Sequence, residues 1–341
     1  MKITRIGLDL AKSVFQVHGV DRDGRVVLRR RLRRSEVLKF FARLEPCLVG
    51  MEACGGAHHW GREIQKLGHQ VRLISPQFVK PYVKSNKNDQ NDAEAICEAI
   101  SRPGMRFVGL KSPQQQELQG LHRVRSGLVA ERTALANRIR GLLTEFGVVL
   151  PKQISQLRRG LPQVLEDGSN GLSGSMRSLF EGLRADLVRL DERVAELDRL
   201  MVQAVGKDSS SERLCAIEGI GPVTATALVA TVGAGAGFAN GRGLSASLGL
   251  VPRQHGSGGK AGLGGISKRG DPYLRTLLVH GARAVLSHVA GKTDRRSRWL
   301  QGLIARRGKN VAAVALANKN ARIAWALLAH GQSYRPAVCS Q

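Results

Sequence analysis

Apolar residues alternate with polar ones through the first hundred positions and recur at helical spacing through much of the rest. Residues 2–8 (KITRIGL), Val14 to Val20 and Arg25 to Arg30 read as strands, with Asp21-Arg22-Asp23-Gly24 as a turn between the last two. Leu48 to Met51 and Val71 to Ile74 are short apolar runs that predict strands. His58 to Leu67 has helical spacing, and Asn91 to Ile100 predicts a helix running from polar to apolar. Three strands, a strand–helix–strand unit and a further helix predict one mixed sheet with helices on its faces, an α/β domain.

From Pro113 the texture changes. Leu118, Leu121, Leu128, Leu135, Ile139, Leu142 and Phe146 recur mainly at intervals of three, four and seven. Leu183, Leu187, Leu190, Val194, Leu197 and Met201 alternate four and three apart, which is a heptad seam. A Gly/Ser-rich break, residues 167–175, separates the two runs. They predict two long helices folded back as an antiparallel coiled coil; an ordinary helical bundle would show the same pattern. Either arrangement makes a spacer or an oligomerisation arm. Lys207-Asp208-Ser209-Ser210-Ser211 reads as a linker.

Beyond the linker, Ile217-Glu218-Gly219-Ile220-Gly221-Pro222 has a helix–Gly-x-Gly–helix shape. Gly219 and Gly221 would let the backbone approach a phosphate, with helix N-terminal amides pointing at it. That is a helix-hairpin-helix-like DNA contact, or alternatively a plain tight turn. Residues 253–265 form a glycine-rich segment that reads as a flexible loop carrying Ser257 among Arg253, Lys260, Lys268 and Arg269. Tyr273 to Leu286 and Val311 to Leu328 predict apolar helices in a mainly α C-terminal domain. The expected domains are 1–108, 109–206 and 207–341.

Charge narrows the function. Lys and Arg number 53 against 27 Asp and Glu, a net charge of +26 spread along the chain. Such a field draws the protein to polyanions, nucleic acid above all. No uncharged apolar stretch is long enough to span a bilayer, and Asp9 comes too early for a signal peptide, so a cytoplasmic protein with no membrane partner is expected. The five cysteines lack zinc or disulfide spacing. Aromatics make up 4%, so base stacking is not expected to be the main mode of binding. Neither Gly259-Lys260-Ala261 nor Gly291-Lys292-Thr293 completes a phosphate-binding ATPase loop.

Four carboxylates stand out against this basic background. Asp9 and Glu52 end strands, and Asp89 and Asp92 are three apart at the start of a helix, on one face. Singly, a strand-end Asp can form a turn and Asp89 can cap its helix. Together they suit a two-metal phosphoryl-transfer site, because carboxylates facing phosphate need a divalent cation between them, and Mg²⁺ prefers oxygen ligands.

Gly7-Leu8-Asp9-Leu10-Ala11-Lys12, Met51-Glu52-Ala53-Cys54-Gly55 and Lys87-Asn88-Asp89-Gln90-Asn91-Asp92-Ala93 resemble the three blocks of the DEDD insertion-sequence transposases, insertion-sequence family 110, and most of all its subgroup 1111. C-terminal blocks agree in order: Gly219-Ile220-Gly221-Pro222, Leu248-Gly249-Leu250-Val251-Pro252, Ser257-Gly258-Gly259, Ile266-Ser267-Lys268-Arg269-Gly270, and Gly308-Lys309-Asn310 through Ala317-Asn318-Lys319. The resemblance covers nearly the whole chain. It implies an RNase H-like N-terminal domain similar to the Holliday-junction resolvase RuvC. It implies that Asp9, Glu52, Asp89 and Asp92 hold Mg²⁺, and that Ser257 is a nucleophile. It also implies a recombinase that moves its own element between donor and target DNA, guided by a non-coding bridge (seeker) RNA. Relatives often carry two serines before the glycine pair; here the first position is Gly256, and Ser267 is the alternative hydroxyl, otherwise a helix cap.

Serine attack on a DNA phosphodiester would leave a phosphoserine and a free hydroxyl end, with cations such as Arg253 and Lys260 stabilising the added charge. The heptad seam and the distance in sequence between tetrad and Ser257 suit a homo-oligomer, a dimer or tetramer, with a composite site. Two other readings stay open: a RuvC-like structure-specific endonuclease that activates water, and a non-catalytic nucleic-acid-binding protein.

Overall fold

A computed structural model describes residues 2–84, 88–258 and 260–335, with the backbone alone at Lys260 and Ala261; Lys87 and Gly259 of the sequence blocks, and Cys339, lie outside the described residues. The chain divides into two units, 1–113 and 114–341.

The first unit is a six-stranded mixed sheet with helices. Its elements are β1 (Arg5–Asp9), β2 (Val14–Val20), β3 (Val26–Arg33), α1 (Val37–Phe41), β4 (Leu48–Glu52), α2 (Ala57–Lys66), β5 (Gln70–Ile74), α3 (Pro76–Val79), α4 (Asp89–Ala99) and β6 (Phe107–Val108). The strand order is β3-β2-β1-β4-β5-β6. β1, β4 and β5 are parallel; β2, β3 and β6 run antiparallel to their neighbours. This order is compatible with an RNase H-like fold. Alternation sorts the two faces. Ile6 and Leu8 of β1, with Val49 and Met51 of β4, share a core with Phe41, Trp60 and Ile64. The intervening Gly7 and Gly50 are a registered pair on the opposite face, which α4 covers.

The second unit contains α5 (Pro113–Thr144), α6 (Ile154–Glu166), α7 (Gly174–Gly206), α8 (Ser209–Cys215), α9 (Pro222–Val232), α10 (Gly241–Ser247), β7 (Pro252–Ser257), β8 (Lys260–Ile266), α11 (Pro272–Leu286), α12 (Arg295–Arg307) and α13 (Lys309–His330). α5 and α7 run antiparallel: Arg125 pairs with Asp198 at 2.5 Å and Arg132 with Asp191 at 3.0 Å, a step of seven residues forward on one helix and backward on the other. Leu187, Val194, Leu197 and Met201 of the heptad run are buried. At the far end α6 joins them, and Leu157 and Leu161 share a core with Leu135, Ile139, Leu143, Phe180 and Leu187.

Two local expectations change. The expected linker at Lys207–Ser211 shrinks to two cap residues, Lys207 ending α7 and Asp208 starting α8 by accepting hydrogen bonds from the Ser210 and Ser211 amides. The glycine-rich segment is paired β-structure, β7 with β8, rather than a loop. The C-terminal core joins Leu214, Leu228, Leu244, Leu274, Leu278, Leu300 and Leu316. Ala313, Ala317, Ala321 and Ala324 are buried along α13, and such small residues let neighbouring helices come close. Among the described residues no helix is long and apolar enough to cross a membrane.

Candidate active site

Leu8 is in register with Met51 on parallel strands, so the next residues, Asp9 and Glu52, end side by side. Alternation puts both on the face of Gly7 and Gly50. α4 brings its backbone against Gly7, and the Ile100 side chain, just past the end of α4, fills the space over Gly50. A Cβ built on Gly7 would lie 2.6 Å from the Cys97 amide nitrogen, and one on Gly50 would lie 2.5 Å from Ile100 Cγ2. α4 begins with Asp89 and Asp92 in its first turn. Asn88 caps it, accepting from the Asn91 amide at 2.8 Å. The positive end of the helix dipole favours both carboxylates.

The electrostatics register the convergence. Asp9 is half-buried, and its carboxyl is pushed up from 3.8 to about 6, first by burial, then by the charges of Asp92, Asp89 and Glu52. Asp9 therefore lies within Coulombic reach of the other three carboxylates, which come from two further elements, β4 and α4. Among the described residues, no three carboxylate, imidazole or thiolate groups already close a metal-ion cage. The two observations are compatible, because like-charge repulsion acts well beyond the roughly 2.1 Å of a Mg²⁺–oxygen bond. The donor chemistry fits a divalent cation: oxygen ligands only, excess negative charge and partial exposure.

Ser257 is the last residue of β7 and is exposed. It stands opposite Lys260 at the tip of the hairpin, where Gly258 takes φ +56°. That left-handed conformation suits glycine. Every residue of β7 is exposed. His255 shares the Ser257 face by alternation, and Arg253 sits at the register shift near the hairpin base, where a bulge re-aims a side chain. The Lys260 side chain lies outside what the structure describes.

The base of the hairpin is tightly built. Lys268 takes φ +55°, and its amide donates to Gly249 O at 3.2 Å. A Cβ on Gly249 would meet Arg269 N at 2.5 Å, and one on Gly270 would meet Ser247 O at 1.7 Å. Arg275 donates to Leu248 O and to Arg269 O, both at 2.9 Å, and Asn318 donates to Leu250 O at 3.0 Å. Arg275 and Asn318 were not singled out from the sequence, although Asn318 lies within one of the recognised blocks. Ser267 closes this base, its amide donating to Val251 O at 2.8 Å. It does not cap α11, which Asp271 caps instead.

The Gly-x-Gly turn lies between α8 and α9. Gly219 takes φ +90° and is packed on α11: a Cβ on Gly281 would lie 1.8 Å from Gly219 O. That glycine serves close packing. Gly221 is exposed, with no atom near the position of a Cβ, so the N-terminus of α9 is open to approach. Lys268 and Arg269 are exposed beside the hairpin base.

A family model described as Transposase, for the DEDD transposases of the IS110 group, matches residues 6–148; another, described as Transposase IS116/IS110/IS902 family, matches residues 211–298. The chain is 57% identical over 337 residues to a probable family 20 transposase of Pseudomonas aeruginosa, covering 98% of this chain and 100% of the relative. It is 48% identical to the transposase for insertion sequence element IS1111A of Coxiella burnetii, covering 97% and 91%. The transposase for insertion sequence element IS1328 of Yersinia enterocolitica is 44% identical, covering 96% and 98%.

Proposed function

The chain belongs to the IS110 family of DEDD transposases, and from that premise we propose that it is an RNA-guided recombinase exchanging DNA strands through Ser257. The observation that carries the reading is that Asp9, at the end of β1, feels the charges of Glu52 on β4 and of Asp89 and Asp92 on α4. Likeness to the IS1111A transposase supports a place in subgroup 1111.

Asp9, Glu52, Asp89 and Asp92 would hold Mg²⁺, which supplies Lewis-acid stabilisation of charge on a scissile phosphate. Ser257 Oγ attacks phosphorus, and the bond to the leaving nucleoside oxygen breaks. The serine proton ends on that oxygen, leaving a hydroxyl end and a phosphoserine. A hydroxyl from another strand then attacks the phosphoserine and returns a proton to Ser257. Neither water nor a nucleotide triphosphate is consumed. The exposed hairpin tip leaves room for the approaching backbone, and Arg253, Lys268 and Arg269 carry charge suited to phosphate. Lys260, Gly219 and Gly221 belong to the same proposed contact set. The antiparallel α5 and α7 would serve as the oligomerisation arm of a dimer or tetramer.

Reactions with end-labelled DNA, run on denaturing gels, test the chemistry. A protease-sensitive shifted band is expected from wild type and from Ser267→Ala, but not from Ser257→Ala. Cleavage in Mg²⁺ without any such band would favour the water-activating endonuclease. Sequencing RNA that co-purifies tests guidance: one discrete structured RNA is expected, and a random population would oppose it.

A further inference from the structure

Two concavities of about 680 and 1160 Å³ flank α13 in the second unit, and both are lined by Trp299, Lys319 and Ile323. Their lining is basic. Arg242 and Arg322 line the smaller, and Arg295 and Arg296 the larger. Lys319 Nζ lies 4.9 Å from the centre of the Trp299 ring, which holds the ammonium at the junction. Burial and the charges of Arg296, Arg295 and Arg322 all disfavour the protonated form of Lys319. Two carboxylates line the larger concavity, and both are engaged: Glu218 pairs with Arg296, and Asp294 caps α12 by accepting from the Arg296 and Ser297 amides.

The aromatic content of this place is unusual for the chain. Only three tryptophans and three tyrosines occur in 341 residues. Trp299 and Trp325 line the smaller concavity, and Trp299 and Tyr334 the larger. Trp325 donates its indole N–H to Gly235 O at 3.2 Å, so its polar edge is satisfied within the protein and its ring supplies apolar surface. Clustered cations attract a phosphodiester backbone, and aromatic faces beside them take unpaired bases. A duplex keeps its bases stacked inside and could use only the charge.

We propose that the paired concavities around Trp299 and Lys319 bind an unpaired nucleic-acid strand, its phosphates on Lys319 and Arg322 and its bases against Trp299, Trp325 and Tyr334. This site is distinct from the acidic tetrad and from Ser257, and it stands whichever chemistry those residues perform. RNA and DNA single strands share the recognised groups, so both are probes.

The test uses the full chain and fluorescence anisotropy with labelled oligouridine, oligothymidine and a DNA duplex; the single strands are about ten nucleotides, within the usual span of such grooves. Lys319→Gln with Arg322→Gln should weaken single-strand binding about tenfold and lower the salt slope by about 1.4, from two lost phosphate contacts. Trp299→Ala should weaken it at least about fivefold with the slope unchanged. Arg22→Gln with Lys39→Gln, which removes two charges from the first unit, should leave binding within twofold. Loss confined to RNA or to DNA would support the groove and identify its strand. Equal loss on the duplex, or single-strand affinity within twofold of wild type, would overturn it. Photo-crosslinking of unaltered protein to an iodouridine strand is independent of any folding defect. Adducts should map to Trp299, Trp325 or Tyr334; adducts found only outside α12, α13 and Tyr334 would overturn the proposal.

Discussion

Gly7 and Ala93 are in backbone contact: a Cβ on Gly7 would lie 2.0 Å from the Ala93 carbonyl oxygen. Ala93 directly follows Asp92, and Gly7 stands two residues before Asp9 on the same face of β1. This contact therefore sets the distance between carboxylates that lie more than eighty positions apart in sequence.

Gly7→Ala should lift α4 from the sheet and cost about 2 kcal/mol or more, as overpacking against backbone does. Transposition should be lost even where the protein still folds. Gly109→Ala, where a Cβ meets nothing within 4 Å, is the control and should melt within a degree or two of wild type. Equal melting temperatures for Gly7→Ala and wild type would mean that α4 does not rest on Gly7.

Asp9 gives a stability signature of opposite sign to the usual carboxylate. Its folded pKa is raised to about 6, so the native state binds the proton more tightly than the unfolded chain. The stabilisation is full below pH 3.8 and is lost as pH rises through about 6. A shift of two units corresponds to ~3 kcal/mol, which solvent screening at this half-exposed group reduces to ~1 kcal/mol. With chelator at pH 8, Asp9→Asn should therefore melt above wild type while abolishing strand exchange. Added Mg²⁺ should raise the wild-type melting temperature more than that of the variant, because a ligand of the native state stabilises it. A variant melting below wild type at pH 8 would show that the carboxylates do not crowd Asp9.

His122 acts in the other direction. Thr226 Oγ1 donates to Pro222 O at 2.8 Å, so the same oxygen accepts from His122 Nε2, and Nδ1 accepts from the Tyr273 hydroxyl, each at 3.0 Å. This network wants a neutral ring, and burial lowers the pKa to about 4. Stability should fall as pH drops from 6.5 towards 4, by roughly 2 kcal/mol after allowance for screening. His122→Gln should flatten that part of the profile, as read by denaturant unfolding at pH 7 and pH 4.5. An unchanged acid limb would locate the titration elsewhere.

Arg275 should be a positioning residue for the hairpin. Both bonds come from one guanidinium nitrogen, Nη1, and Arg275→Met removes the donor that bridges the Leu248 and Arg269 carbonyls. Covalent adduct formation should drop about tenfold, equivalent to ~1.4 kcal/mol of lost positioning. Binding of labelled DNA should change by less than twofold. Equal loss of binding and adduct would make Arg275 a DNA contact or a general stabiliser instead.

Much of this protein was determined by local pattern. The strands at 14–20 and 48–52 and the helices at 57–66 and 89–99 lie within about two residues of the runs at 14–20, 48–51, 58–67 and 91–100 read from the apolar pattern. The four acidic residues stand out because a basic chain offers few. Other elements left no such trace. β6 is two residues long, too short for any period, and exists because β5 offers it an open edge. β7 and β8 read as a loop because glycines carry no side chain to alternate, yet their backbones pair all the same. Asp208 looked like part of a linker because a cap and a turn use the same residue types.

The tertiary structure alone decided which separated residues meet. Gly7 and Gly50 are visible as letters, but only the α4 backbone over Gly7 and the Ile100 side chain over Gly50 show why a side chain is forbidden there. A low aromatic content argued against base stacking, whereas folding gathers Trp299, Trp325 and Tyr334 around Lys319. Composition averages over the chain, and a binding surface is made by the few residues that packing brings together. Periodicity reports how one segment divides between core and solvent; the partner of each buried face is chosen by close packing between segments far apart in sequence.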